Sequence, residues 1–182
     1  MKYMIIILSE HLFYHHKKGC HCTMKNRTCF FTGHRNLPAE DIYKIRRSLK
    51  QTVISLIENG TIYFGCGGAR GFDLLAAQLI IELRESYPDI RLIMVYPCRN
   101  QTRYWSDADK DIYEYIRERS DKCVWIADEY NNECMHRRNR HLVNNSTSCI
   151  CYLTDRYSGT QYTVNYAEKK GITIINIADN KT

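Results

Sequence analysis

Short apolar runs alternate with amphipathic stretches along most of this chain. Thr28-Cys29-Phe30-Phe31-Thr32 is a compact apolar run ended by Gly33-His34-Arg35. Pro38-Ala39-Glu40-Asp41 opens a helix, with proline and acids in the first turn as the helix dipole favours. Its apolar positions Ile42, Ile45, Leu49, Val53, Leu56 and Ile57 keep helical spacing, and Asn59-Gly60 stops it. The same alternation continues: a strand at 61–64, a helix at 73–86, a strand at 90–95 ended by Pro97, and a helix at 107–119. A strand at 123–126, a helix at 134–144, a strand at 149–153, a helix from Ser158 to Lys170 and a strand at 172–177 complete it. Near-continuous apolar strands joined by helices predict a mainly parallel sheet covered on both faces, an α/β Rossmann-like three-layer fold in a single domain. There is no internal repeat, low-complexity segment or linker.

Residues 1–23 depart from this pattern. Met4-Ile5-Ile6-Ile7-Leu8 is too short to span a membrane. Glu10 follows at once, and His15-His16-Lys17-Lys18 stand where a signal peptide has small residues. The expectation is an atypical N-terminal extension with Met24 as the natural start and the domain at 24–182.

The widest interruption lies between the second strand and its helix. Gly65-Cys66-Gly67-Gly68-Ala69-Arg70-Gly71-Phe72-Asp73 carries four glycines in seven residues. A glycine loop entering a helix brings backbone N–H groups close to a ligand, and phosphate is its usual guest. A tight turn has the same composition. The loop lacks the Lys-Ser/Thr pair of a P-loop and the spacing of the dinucleotide fingerprint.

The other unusual residues also follow strands: Gly33-His34-Arg35, then Pro97, Gln101 and Trp105, then Asp128 to Asn131, then Ser158-Gly159-Thr160. In an open parallel sheet these positions share the carboxyl-end rim where ligands bind. Each has a plain and a functional reading. His34 is a surface histidine or an acid/base group beside a ligand. Arg35 and Arg70 are solvated, or grip phosphate or carboxylate with a bidentate fork. Asp73 is a helix N-cap, or it binds a ribose hydroxyl or orients a water. Trp105 packs in the core or stacks on a base. Arg138 and Asn139 lie on a solvated helix face or reach the ligand. Thr160 caps its helix and, with Gly159, offers a phosphate cup.

Net charge is +6. Lys2, Lys17 and Lys18 against Glu10 supply two of these charges, so the chain from Met24 carries +4. That suits anionic small molecules and argues against nucleic acid as a partner. Cys29, Cys66, Cys123, Cys149 and Cys151, of nine cysteines, fall in or beside strands, where thiols behave as small hydrophobes. This points to a reduced, cytoplasmic protein rather than a disulfide framework. Cys20-His21-Cys22 and Cys134-Met135-His136 lack zinc-finger spacing, so no metal is expected; Mg²⁺ would enter only with a polyphosphate ligand.

Several of these motifs together match one family. Phe31-Thr32-Gly33-His34-Arg35, Gly65 to Asp73, Pro97 with Gln101 and Trp105, Cys134 with Arg138-Asn139, and Gly159-Thr160-Gln161-Tyr162-Thr163 with Tyr166-Ala167 resemble the YpsA-like proteins of the SLOG superfamily. That superfamily also holds the LOG nucleotide phosphoribohydrolases and the DprA/Smf DNA-processing proteins. The resemblance spans roughly 27–177. It implies a Rossmann-like fold, a nucleotide or ADP-ribose-type ligand, a possible homo-oligomer or protein partner and, in some relatives, a link to bacterial cell division and stress physiology. Gly33, His34, Arg35, Gly65, Gly67, Gly68, Arg70, Gly71, Asp73, Pro97, Gln101, Trp105, Arg138, Asn139, Ser158, Gly159 and Thr160 are then the expected ligand-binding set, with Asp73 and His34 as acid/base candidates.

One departure separates the chain from the LOG hydrolases, whose Pro-Gly-Gly-x-Gly-Thr-x-x-Glu motif carries the catalytic Glu. Aligned through Gly159-Thr160, that Glu falls on Thr163, and Tyr157-Ser158 replaces part of the glycine run. Threonine cannot supply the carboxylate that N-glycosidic cleavage needs. The leading expectation is therefore a nucleotide-binding or sensing module. A nucleotide hydrolase acting on an N-glycosidic or phosphate bond is the alternative, and a DprA-like single-stranded DNA binder a more distant one.

Overall fold

The computed structural model describes residues 24–155 and 157–178. The expected extension at 1–23, with Cys20-His21-Cys22, lies outside them. A 3-10 turn leads into β1 (Thr28–Gly33). Then follow α1 (Ile42–Glu58), β2 (Tyr63–Cys66), α2 (Phe72–Leu83), β3 (Arg91–Tyr96) and α3 (Asp107–Arg119). The chain continues with β4 (Lys122–Trp125), α4 (Cys134–Asn144), β5 (Ser148–Tyr152), α5 (Gly159–Lys169) and β6 (Thr173–Asn176).

All five strand pairings are parallel, in the order β4-β3-β2-β1-β5-β6. The chain steps outward from β1 to β4, returns through α4 to lie beside β1 as β5, and moves on to β6. Crossovers of one hand place helices on one face during the outward steps and on the other after the return. Accordingly α1–α3 cover one face, and α4 and α5 pack on each other across the other. Side chains alternate to match. Cys29 and Phe31 join the α1–α3 core while Phe30 joins the α4–α5 core; Cys149 and Cys151 take the second side and Ile150 the first. Burying each large side chain of α2, such as Phe72, Leu79 and Ile80, contributes about 1.5–3 kcal/mol.

The direction of travel reverses between β1 and β5, so the segments that leave their carboxyl ends run to opposite faces of the sheet, and such a reversal opens the crevice where ligands bind in open parallel sheets. The second strand lies two residues later than its apolar run suggests. Gly65 and Cys66 belong to the ladder, with Gly65 between Phe30 and Ile93. A Cβ at Gly65 would stand 3.0 Å from Leu142 Cδ2, so this glycine lets α4 settle on the sheet. The end of the 73–86 stretch is turn rather than helix, with Glu85 N–H donating to Glu82 O and Ser86 N–H to Leu83 O. No helix among the described residues is long and apolar enough to cross a membrane.

Candidate functional site

A cavity of about 320 Å³ opens at the β1/β5 reversal point. Thr32 to Arg35 form one wall, Ala69 and Asp73 the floor beside α2, and α4 and the start of α5 the remainder.

The α5 wall is the start of a helix. Ser158 is the N-cap, extended in backbone, and its Oγ accepts from Gln161 N at 3.2 Å. Ser158, Gly159 and Thr160 all line the cavity. The first turn of a helix leaves N–H donors unpaired within the helix and carries partial positive charge. A Cβ on Gly159 would meet nothing within 4 Å, so the approach to those donors is open.

The glycine loop makes room for the protein's own side chains. A Cβ on Gly67 would overlap the Arg138 guanidinium and stand 2.8 Å from Asp73 Oδ2. The space that glycine leaves is filled by the protein's own side chains. Arg138 is 7% exposed and Asp73 4%. Nη1 of Arg138 donates to Asp73 Oδ2 at 3.4 Å, and Ala69 N–H donates to the same oxygen at 3.3 Å. Arg138 Nε has no hydrogen-bond partner. Asp73 is not the N-cap of α2; that position is Gly71, with φ +72°, and Asp73 is the second helical residue with its carboxylate turned back on the loop. Burial raises the Asp73 carboxyl above the usual carboxylate range, while Arg138, the Ala69 N–H and Arg35 pull it back.

His34 is tied up as well. Its Nε2 accepts from Thr154 N at 3.0 Å and Asp155 N at 3.3 Å. The imidazole thus braces the β5–α5 loop that presents Ser158. Asn139 Nδ2 donates to Thr163 Oγ1 at 2.7 Å, and Thr163 Oγ1 donates to Gly159 O at 2.9 Å. Thr163, only 1% exposed, thereby joins α4 to the first turn of α5. Of the other nearby carboxylates, Asp128 is exposed and paired with Arg99, and Asp155 Oδ1 accepts from Tyr157 N.

Comparison with known proteins decides the family. Residues 30–178 match the model of the YpsA family, described as the YspA SLOG family. The chain belongs to the YpsA SLOG family. A UPF0398 protein of Bacillus cereus is 26% identical over 130 residues, covering 70% of this chain and 71% of the relative. A UPF0398 protein of Halalkalibacterium halodurans is 29% identical over 129 residues, covering 69% and 68%. Among solved structures, DNA processing protein A from Streptococcus pneumoniae superposes with a TM-score of 0.60 at 16% identity, over 83% of this chain and 50% of that one. The Helicobacter pylori protein of the same name, from a study of its single-stranded DNA binding mode, gives 0.59 at 19% identity, over 83% and 65%. The chain thus spans half of the first and about two thirds of the second, and shares their fold.

The expected residues divide into three groups. Gly33, His34, Arg35, Asp73, Arg138, Asn139, Ser158, Gly159 and Thr160 meet around the main cavity. Arg70, Gln101 and Trp105 line a smaller compartment beyond Arg138, together with Arg35. Gly65, Gly67, Gly68, Gly71 and Pro97 line neither. Gly65 serves the α4 contact and Gly67 the Arg138 seat. Gly68, at φ +65°, carries the turn under Tyr96, and Gly71 lies against the Arg35 carbonyl. Pro97 is buried just past β3. Thr32, Met135 and His136 line the main cavity without having been expected there. His136 and Met135 stand next to the buried Cys134, in the run whose spacing is not that of a zinc finger. His136 instead meets Tyr162 edge-on at 4.6 Å, and no group of three His, Cys, Asp or Glu able to hold a metal exists among the described residues.

Proposed function

We propose that this YpsA-family protein is a cytoplasmic binding or sensing module for a nucleotide or nucleotide-derived molecule, with a phosphate seated on the N-terminus of α5. One observation carries the reading: the open first turn at Ser158-Gly159-Thr160 and the buried Arg138, whose Nε lacks a partner, line the same cavity at the sheet's reversal point. Exposed N–H donors and a desolvated guanidinium converging on one space favour an anion. The cavity volume is of the size that takes a small organic ligand.

The test is a thermal-shift and calorimetric panel of nucleoside monophosphates, diphosphates and ADP-ribose on wild type and Gly159→Asp. The substitution meets open space, and an acid in the first helical turn is favourable to the helix, so the variant folds. Its carboxylate competes for the anion seat. A compound that stabilises wild type and not Gly159→Asp supports the reading; binding that is equal in both, or absent from wild type, overturns it.

Catalysis is a second reading, favoured by one observation: a carboxyl raised by burial lies in the cavity wall, at Asp73. Turnover of a bound nucleotide that disappears in Asp73→Asn while binding persists would establish it; tight binding without turnover would end it.

A further inference from the structure

Past Arg138 the cavity continues into a compartment of about 90 Å³. Arg35, Ala69, Met135 and Arg138 line both spaces, whereas Arg70, Gln101 and Trp105 line only the smaller. Three arginines therefore line a volume equal to roughly three water molecules' share of the liquid. Two carboxylates face them, at loose distances: Asp73 Oδ2 is 3.4 Å from Arg138 Nη1, and Asp109 Oδ2 is 3.7 Å from Arg70 Nη1. Charge-assisted hydrogen bonds are shorter, about 2.7–2.9 Å. Arg138 keeps its unpartnered Nε although it is more than nine-tenths buried. The remaining walls are stiff. Gln101 Nε2 donates to Gly68 O at 3.0 Å, and the Trp105 ring lies 5.9 Å from the Arg70 guanidinium carbon while meeting Tyr113 edge-on. An aromatic wall beside the cations lowers the local dielectric and strengthens their pull on a charge.

We propose that this compartment is a second anion subsite, so that the ligand carries two phosphates: one on the α5 N-terminus and one beyond it, held by Arg70, with Arg138 and Arg35 shared between them. A ligand with a single phosphate fills only the first. The proposal rests on the phosphate reading of the larger cavity. It narrows the ligand class to diphosphate-bearing molecules, such as nucleoside diphosphates and their esters.

The test uses probes without a base, so that the anion subsites are read directly. Orthophosphate, pyrophosphate and tripolyphosphate are titrated calorimetrically at constant ionic strength and without magnesium. The proteins are wild type, Arg70→Gln, Arg103→Gln and Gly159→Asp. Arg70 is a surface-accessible arginine in a long ion pair, so Arg70→Gln folds normally. Arg103, which lies over the exposed Tyr104, controls for diffuse positive charge. The expected result is that wild type binds a condensed phosphate roughly tenfold or more tightly than orthophosphate. Arg70→Gln loses that gain and keeps orthophosphate binding. Arg103→Gln keeps both, and Gly159→Asp loses both. Orthophosphate binding with no gain for condensed phosphates overturns the second subsite and leaves the first. A gain that survives Arg70→Gln, or falls equally in Arg103→Gln, also overturns it. No binding of any probe to wild type overturns the phosphate seat itself, and the subsite with it.

Discussion

Replacing Arg138 with methionine removes the guanidinium seated over Gly67 and keeps an unbranched apolar stem. Asp73 then remains at 4% exposure without the charge that offsets its burial. Removing one partner of a buried ion pair costs about 3–5 kcal/mol, a large share of the roughly 5–15 kcal/mol that holds a typical domain together. The carboxyl has one escape, which is to take up a proton. Burial already raises its folded pKa, and Arg138 heads the influences that lower it, so the variant's carboxyl rises further. An acid whose folded pKa exceeds its unfolded value binds its proton more tightly in the folded state. Stability therefore falls as the pH climbs from the unfolded pKa through the folded one. The Arg138→Met penalty is consequently greatest near pH 8 and shrinks toward pH 5. Adding Asp73→Asn removes the carboxylate and returns most of the loss at pH 8, because a neutral side chain has no charge to desolvate. Urea unfolding at both pH values measures this. With a slope of about 2 kcal/mol per molar, the single variant's midpoint drops by roughly 1.5–2.5 M at pH 8. An Arg138→Met protein as stable as wild type at pH 8, or a double variant no more stable than the single, would refute the reasoning.

Three further outcomes follow from the site geometry. His34→Ala leaves the Thr154 and Asp155 N–H groups to water, so stability falls by about 1 kcal/mol while amide exchange at both positions accelerates; unchanged exchange would remove His34 from its bracing role. Thr163→Glu restores the LOG-type acid position but buries a carboxylate where Asn139 and Gly159 now bond a hydroxyl. A loss of about 2–4 kcal/mol in thermal melts and no base release from AMP by chromatography are expected, and hydrolysis would contradict the assignment. Gly68→Ala forces a Cβ to φ +65° and within 2.6 Å of the Tyr96 ring, costing about 1–3 kcal/mol, whereas Gly159→Ala changes stability by less than about 0.5 kcal/mol; equal melting temperatures for the two would falsify the distinction.

The fold was readable because its signals are local. Four-residue spacing at Ile45, Leu49 and Val53 marks the buried stripe of α1, and each strand is a short apolar run bounded by polar residues. The strand order was not readable. Nothing in the runs 28–32 and 149–153 says that β5 returns to lie beside β1, because that depends on which hydrophobic faces remain uncovered once α1–α3 have packed. The rule that ligands bind past the carboxyl ends still gathered His34, Arg35, Asp73 and Ser158 at one place, since it holds for any parallel order.

The glycine loop shows where such inference stops. Glycine reports that something comes close to the backbone; it does not report what. At Gly65 the approaching group is Leu142, at Gly67 it is Arg138, and at Gly68 it is Tyr96, all from the chain itself. The side chain that fills the loop, Arg138, lies about seventy residues downstream, at a position that reads from sequence as either a solvated helix face or a ligand contact, not as a partner of the loop. Yet the loop still serves the site at one remove. By admitting the guanidinium and turning the Asp73 carboxylate and Ala69 N–H toward each other, it holds a cation, nine-tenths buried and incompletely paired, in the lining of the cavity that the start of α5 also lines. In the proposed reading the two parts of the anion seat have separate origins, α5 supplying the open donors and the glycine loop the position of Arg138. A substitution at Gly67 is therefore expected to disturb ligand binding through Arg138, although Gly67 itself lines no part of the cavity.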